Sequence, residues 1–319
     1  ILFAAICVCF QHEMTLAAIV TSGNVEPADP ATWNSSTIGY VGKTGDATLD
    51  ITEGDTVSSG KAYVGYFVHL GMGVVTVDGT DSTWTNSSAD FYLGYQGSGT
   101  LVISNGGAVN TNGGLLGYFA GSTGVASVTG ANSTWTNTSS LCVGHNGTGT
   151  LNVAGGGKVN ANNTVIAQNS VSTGTVEIEG AASTWTDSGN FRIGNAGHGT
   201  LTIRTGARVS NATGHIGYES GSTGEVTVDG SGSKWTNSSD LYVGLAGNGT
   251  LNIVNSALVE VQNNTLLAAT AGSRGEIHLD TGFLITKSLF AEAAQLTGTG
   301  AVNANGIVSD LDLVFQTAA

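Results

Sequence analysis

The chain has 319 residues, 49 of them glycine and 2 proline, and carries a net charge of −14 from 23 acidic and 9 basic side chains. So acidic a surface repels phosphate backbones, which excludes nucleic acid as a partner. Only 10% of residues are charged but 40% are apolar, so the chain is not disordered; its many Gly, Thr, Ser and Asn must be ordered by backbone pairing.

From the N-terminus, residues 1–20 read as a signal-peptide-like leader. Ile1–Phe10 is apolar and is broken by Gln11, His12 and Glu13, too short a run for a bilayer span, so no transmembrane helix is expected. A short apolar cap on the fold is the alternative. Ile6 and Val8, not small residues, precede Cys7 and Cys9, which argues against a lipoprotein signal. These two cysteines and the solitary Cys142 make neither a disulfide framework nor a zinc pattern.

Residues 21–280 hold five repeats of about 50 residues. Trp33, Trp84, Trp135, Trp185 and Trp235 recur at spacings of 51, 51, 50 and 50. Thr48, Thr100, Thr150, Thr200 and Thr250 each open a T-L-x-[IV] run, and Gly42, Gly94, Gly144, Gly194 and Gly244 each follow an aliphatic residue. A weaker copy lies inside each unit: Val226 and Val228 map onto Leu251 and Ile253 at an offset of 25. The structural unit is thus about 25 residues, with three short strands, as in Leu241–Val243, Thr250–Ile253 and Leu258–Val261.

The expected fold is all-β, a parallel β-helix (β-solenoid) of about eleven coils, on the order of 50 Å long at ~4.8 Å per coil. Two apolar columns are predicted to line its interior, one running from Val75 to Leu251 and the other from Val77 to Ile253. In each T-W-T the tryptophan faces opposite to its threonines, which predicts a structural, inward tryptophan over an exposed sugar-stacking ladder. The outward neighbours, Val102, Ser127, Asn152, Glu177 and Thr202 among them, are too mixed for an ice-binding threonine array.

No catalytic constellation emerges. Asp78, Glu179 and Asp229 fall in one predicted outward column with Arg204 between the last two, a surface charge ladder Glu179–Arg204–Asp229. Carboxylates two coils apart (~9.6 Å) stand outside the spacing that glycosidases use. His12, His69, His145, His198, His215 and His278 are scattered and read as ordinary surface residues. No G-x-S-x-G, H-E-x-x-H or calcium-binding nonapeptide is present, and sequons such as Asn146-Gly147-Thr148 arise by chance in so polar a chain. No cofactor or metal is expected.

The pattern W-T-N-S-S-x-L-Y-V-G-x-x-G-x-G-T-L-x-I, followed by I-G-x-x-x-G-S-T-G-x-V-T-V-D-G, resembles the repeat of type V secretion (autotransporter) passengers and PEP-CTERM-associated bacterial exoproteins. Residues 81–110, 216–230 and 234–252 carry it most fully. The resemblance implies a parallel β-helix exported beyond the inner membrane, secreted or on the cell surface, and implies no catalytic residues. Residues 281–319 are divergent: they lack the tryptophan and the G-S-T-G turn and stop in the apolar run Leu311–Phe315, which reads as a truncated end. The expected function is a non-catalytic adhesin or matrix component, with surface glycans, host or neighbouring-cell surfaces, or self-association through coil ends as partners. A filament subunit and a polysaccharide-active enzyme are the alternatives.

Overall fold

The computed structural model describes residues 18–67, 71–87 and 90–309. Most of the expected leader, with Cys7, Cys9 and His12, lies outside these residues, as do His69 and Leu311–Phe315. The chain is an all-β solenoid of parallel stacked coils, with a twelve-stranded and a 21-stranded sheet among the described residues. One coil shows the plan. Thr148–Ala154 forms the long strand, Lys158–Ala161 and Asn163–Ile166 follow in the second sheet, and Thr173–Glu179 opens the next coil. The long strand pairs in parallel with Thr123–Thr129 before it and Thr173–Glu179 after it. Alternation along the strand decides which residues enter the core.

The two predicted columns stack in register and reach one coil further at each end. The first runs from Leu49 through Val75, Leu101, Ala126 and Leu151 to Ile277, and the second from Ile51 to Leu279. Every member but Leu279 is wholly buried. A third column faces them from the second sheet and alternates in size: Val57, Trp84, Val109, Trp135, Val159, Trp185, Val209, Trp235, Val259. Beside it a fourth alternates in phase, with Phe91, Leu141, Phe191 and Leu241 in the tryptophan coils and Gly114, Thr164 and Gly214 between them. A Cβ on Gly114 would stand 3.0 Å from the Trp135 ring and 2.8 Å from Leu141. The 50-residue period is therefore a large coil laid on a small one, at constant core volume.

Trp33 departs from this plan. It follows the 3₁₀ turn Pro30–Thr32 instead of lying in a strand, donates its indole N–H to the Pro27 carbonyl (3.0 Å) and tilts against Trp84 at 6.5 Å. The first coil is irregular because its neighbours run the other way: Ala18–Gly23 is antiparallel to Ala47–Thr52, and Val25–Glu26 to Ile38–Val41. Residues 18–20, placed in the leader by sequence, thus belong to the first strand. At the other end Phe283–Phe290, Leu296–Gly298 and Ala301–Val308 continue the parallel stacking, so the divergent segment is solenoid as far as Val308.

Buried polar residues accompany the tryptophans. The Trp84 indole donates to Ser59 Oγ (3.0 Å), that of Trp135 to Thr111 Oγ1 (3.3 Å) and that of Trp235 to Asn211 Oδ1 (2.6 Å). Ala161 holds the equivalent position below Trp185, whose indole N–H has no partner among the described residues. Ala161→Ser should therefore stabilise the protein by about 1 kcal/mol by giving that donor an acceptor, visible as a higher urea midpoint; an unchanged or lower midpoint would refute the assignment. Leu151→Asp should cost roughly 3 kcal/mol or more, the penalty of an unpaired buried charge, and an unaltered melting curve would place Leu151 outside the core.

Candidate functional surface

On the outer face of the long strands, Glu179, Arg204 and Asp229 stand in one register column. Asp78 heads the same column through Ser104, Thr129 and Ala154. The side chains pair differently from a simple ladder. Arg204 turns to the preceding coil, placing Nη2 2.7 Å from Glu179 Oε2 and Nε against Glu177. Glu177 and Glu179 are two apart on one strand and so share a face, which suits the guanidinium fork. Asp229 accepts instead from Asn255 Nδ2 at 2.7 Å, and Asp78 from Asn105 Nδ2 at 2.7 Å. Each carboxylate is thereby held by a neighbour on the rod surface. Exposed pairs of this kind contribute little to stability.

The most organised outward feature is one the sequence argument overlooked. All eight tyrosines of the chain gather on one edge. Tyr40, Tyr63 and Tyr92 are in register on three successive coils, with ring centroids 5.1 and 4.9 Å apart and planes within 8°. Tyr66, Tyr95 and Tyr118 form a second parallel stack at 5.0 and 5.1 Å, which His145 extends at 4.6 Å. Between the stacks the rings meet edge-to-face, as Tyr63 does with Tyr66 (4.9 Å, 85°) and Tyr92 with Tyr118 (4.9 Å, 85°). The result is a herringbone in which each ring satisfies both preferred aromatic geometries.

Local chain geometry produces it. The tyrosines flank a glycine, as in Tyr63-Val64-Gly65-Tyr66 and Tyr92-Leu93-Gly94-Tyr95. Gly65 and Gly94 have φ of +72° and +69°, and a Cβ on either would lie 2.0 or 2.1 Å from a carbonyl oxygen of the next coil. The left-handed turn brings the residue two before and the residue one after to the same edge, and the coil spacing supplies the stacking distance. Lys43 lies 4.5 Å over the Tyr40 ring while paired to Glu26, and Lys61 lies 5.2 Å from Tyr63 and Tyr92 while 3.3 Å from Asp90. Burial, then Asp90 beside it, pushes the Tyr92 phenol well above its usual range. Phe119, 40% exposed, packs edge-on against Tyr95 and Tyr118.

Further along the edge the inner column continues as Leu115, Cys142, Val165, Arg192, His215 and Tyr242. Cys142 is buried and unpaired, and burial pushes its thiol up to about 12, an inert packing residue. His215 stacks on Tyr242 at 5.1 Å and meets Tyr218 edge-on, and the Arg192 guanidinium lies 4.4 Å over the Tyr218 ring. His145 and His215 lie in different columns of this edge and do not stack on each other, but His215 is buried, which corrects its reading as an ordinary surface residue. His198 and His278 lie apart on the long strands, the latter 3.0 Å from Thr297 Oγ1. No group of three or more His, Cys, Asp or Glu converges among the described residues.

Burial and then Arg192 lower the His215 pKa to about 4, against a smaller opposing pull from Asp240. A depressed histidine pKa favours the folded state while the ring is neutral. That contribution is complete above the unfolded value near 6.5 and is lost as pH falls toward 4, by roughly 3 kcal/mol at most. His215→Tyr, which places in this coil the residue its neighbour carries at Tyr242, should flatten the acid dependence. Urea midpoints at pH 7 and pH 4.5 for both proteins measure this, and an equal loss in each would show that His215 is not the titrating group. Among known proteins, no family model, curated sequence or solved structure matches the chain.

Proposed function

We propose that this is a non-catalytic, exported repeat protein, an adhesin or matrix component, that meets its partner along the tyrosine edge. The observation that carries the reading is the concentration of all eight tyrosines there. Tyrosine offers large contact area with a polar tip and is enriched at protein interfaces. Held in a herringbone, the rings lose little conformational freedom on contact, so binding carries a small ordering cost. Tyr63 and Tyr92 are buried between their neighbours, so a partner meets the edges and hydroxyls of the half-buried rings Tyr40, Tyr66, Tyr95 and Tyr118. A glycan surface or the surface of a neighbouring or host cell offers the matching hydrogen-bonding groups.

Export rests on the resemblance to autotransporter passengers and PEP-CTERM-associated exoproteins. The non-catalytic reading is supported by the carboxylates of the outward column, Asp78, Glu179 and Asp229, which are occupied by serine and asparagine, arginine, and asparagine respectively. A filament subunit is the second reading, favoured by the exposed Ile307 and Val308 on the last described strand. Exposed strand edges of that kind are prone to pairing with another chain.

The test is adhesion of the purified protein to bacterial and polysaccharide-coated surfaces. Replacing Tyr66, Tyr95 and Tyr118 together by serine should reduce retention at least tenfold while leaving the far-ultraviolet spectrum unchanged. Undiminished retention by a folded triple variant would overturn the assignment of the edge, and release of reducing sugar from the same polysaccharides would overturn the non-catalytic reading.

A further inference from the structure

The turn that joins the long strand to the second sheet changes length along the rod. Within the repeats it alternates between four residues, as at 230–233, and three, as at 205–207. It is again three at 255–257, but only two at 281–282 where four is due, and stays at two at 299–300. The receding turn removes the rim that covers the start of each second-sheet strand. A trough of about 510 Å³ opens there, lined by Leu258, Phe283, Leu284, Ile285 and Val302, with Arg208 and Lys234 also on its wall. That volume falls in the range of small-molecule sites.

Phe283 is 46% and Ile285 37% exposed, so the apolar floor is open to solvent. The cationic wall is asymmetric. Arg208 and Lys234 are in register on adjacent coils, and Lys234 Nζ is held by Glu260 Oε2 at 2.6 Å. Arg208 is exposed and forms no ion pair among the described residues. In a chain of net charge −14, an uncompensated guanidinium beside an apolar trough is complementary to one chemistry: an anionic group carried on a hydrocarbon body. A guanidinium engages a carboxylate through two parallel hydrogen bonds, and the floor takes the chain.

We propose that this trough binds a single-chain amphiphilic anion of the fatty-acid class, its carboxylate on Arg208 and its acyl chain over Leu258, Phe283 and Ile285. The site is separate from the tyrosine edge and independent of the adhesion reading.

Isothermal titration of the full chain with dodecanoate, octanoate and dodecyltrimethylammonium, each below its micelle concentration, tests it. Dodecanoate is expected to bind saturably at one site, and octanoate more weakly, by roughly fourfold per methylene removed if the chain is buried. The cationic amphiphile should not bind there. Arg208→Gln, a change at an exposed position that leaves the core untouched, should weaken dodecanoate about tenfold, and Phe283→Asp should abolish its binding. The proposal is overturned by absence of saturable dodecanoate binding, by equal affinity for the cationic amphiphile, or by an unaltered affinity of Arg208→Gln. It is equally overturned if a wild-type dimer that dissociates on Phe283→Asp excludes the ligand, which would assign the trough to a second copy. Binding that emerges only after removal of residues 310–319 would assign it to the chain's own tail and overturn it likewise.

Discussion

Successive coils of this protein must together fill a nearly constant volume, because strands pair at ~4.8 Å and leave no room for a mismatch. The long-strand columns meet this by placing aliphatic on aliphatic, as in Leu151 on Ala126 and below Val176. The second sheet meets it differently. A Trp–Phe or Trp–Leu coil is too large to repeat, so it alternates with a coil of Val and Gly or Thr, as Trp135 and Leu141 alternate with Val109 and Gly114. The 50-residue repeat follows from that packing condition. Extra volume in the small coil would strain the stack, and a missing indole would leave a cavity; either error costs stability through a core shared by all neighbours.

The same condition explains which features could be read from sequence. Inward columns are constrained at every coil, so Val75–Leu251 and Val77–Ile253 reveal themselves by an unbroken offset of about 25 residues, and the fold with its three strands per coil followed. The tyrosine edge has no such uniformity. Its inner column changes from Tyr92 to Leu115, Cys142 and Val165 before returning to His215 and Tyr242. The signal was present in the Y-x-G-Y spacing about Gly65 and Gly94, but its meaning depends on a left-handed glycine turning two positions to one side. Trp33 carried the marker spacing without the strand, since antiparallel neighbours set the geometry of the first coil. Arg204 was placed in the right column, yet its choice of Glu177 and Glu179 over Asp229 depends on side-chain reach that register does not encode.

Polar residues inside the rod fix which coil stacks on which. Ser59 with Asn86, Thr111 with Asn137, and Asn211 with Asn237 stand in register and bond across adjacent coils. A slip along the axis would strand these groups unbonded in an apolar interior, a cost that purely aliphatic columns would not impose. The exception tests the rule. Where Ala161 interrupts the series, Asp187 replaces the asparagine, accepts from Thr164 Oγ1 and from the Gly189 amide at 2.8 Å, and has its carboxyl pKa raised by burial. That coil has both an unpartnered indole and a buried carboxyl. The other tryptophan coils instead leave one atom of the asparagine unpartnered among the described residues, at Asn86, Asn137 and Asn237.

A rod that repeats backbone positions at a fixed spacing turns any outward residue type that recurs into a stack, and any change in turn length into a step. Both features singled out on the surface arise in this way. The herringbone exists because tyrosine recurs on three successive coils before the glycine turn (Tyr40, Tyr63, Tyr92) and on three after it (Tyr66, Tyr95, Tyr118), two of those coils carrying both; ring separations near 5 Å are the coil spacing itself. The trough exists because the turn after the long strand shortens from four residues to two while the strands stay in register, uncovering Phe283 and Ile285. The residues that recur most faithfully hold the rod together. Distinct chemistry therefore belongs where outward residues or turn lengths depart from the repeat, near the two ends of the described solenoid.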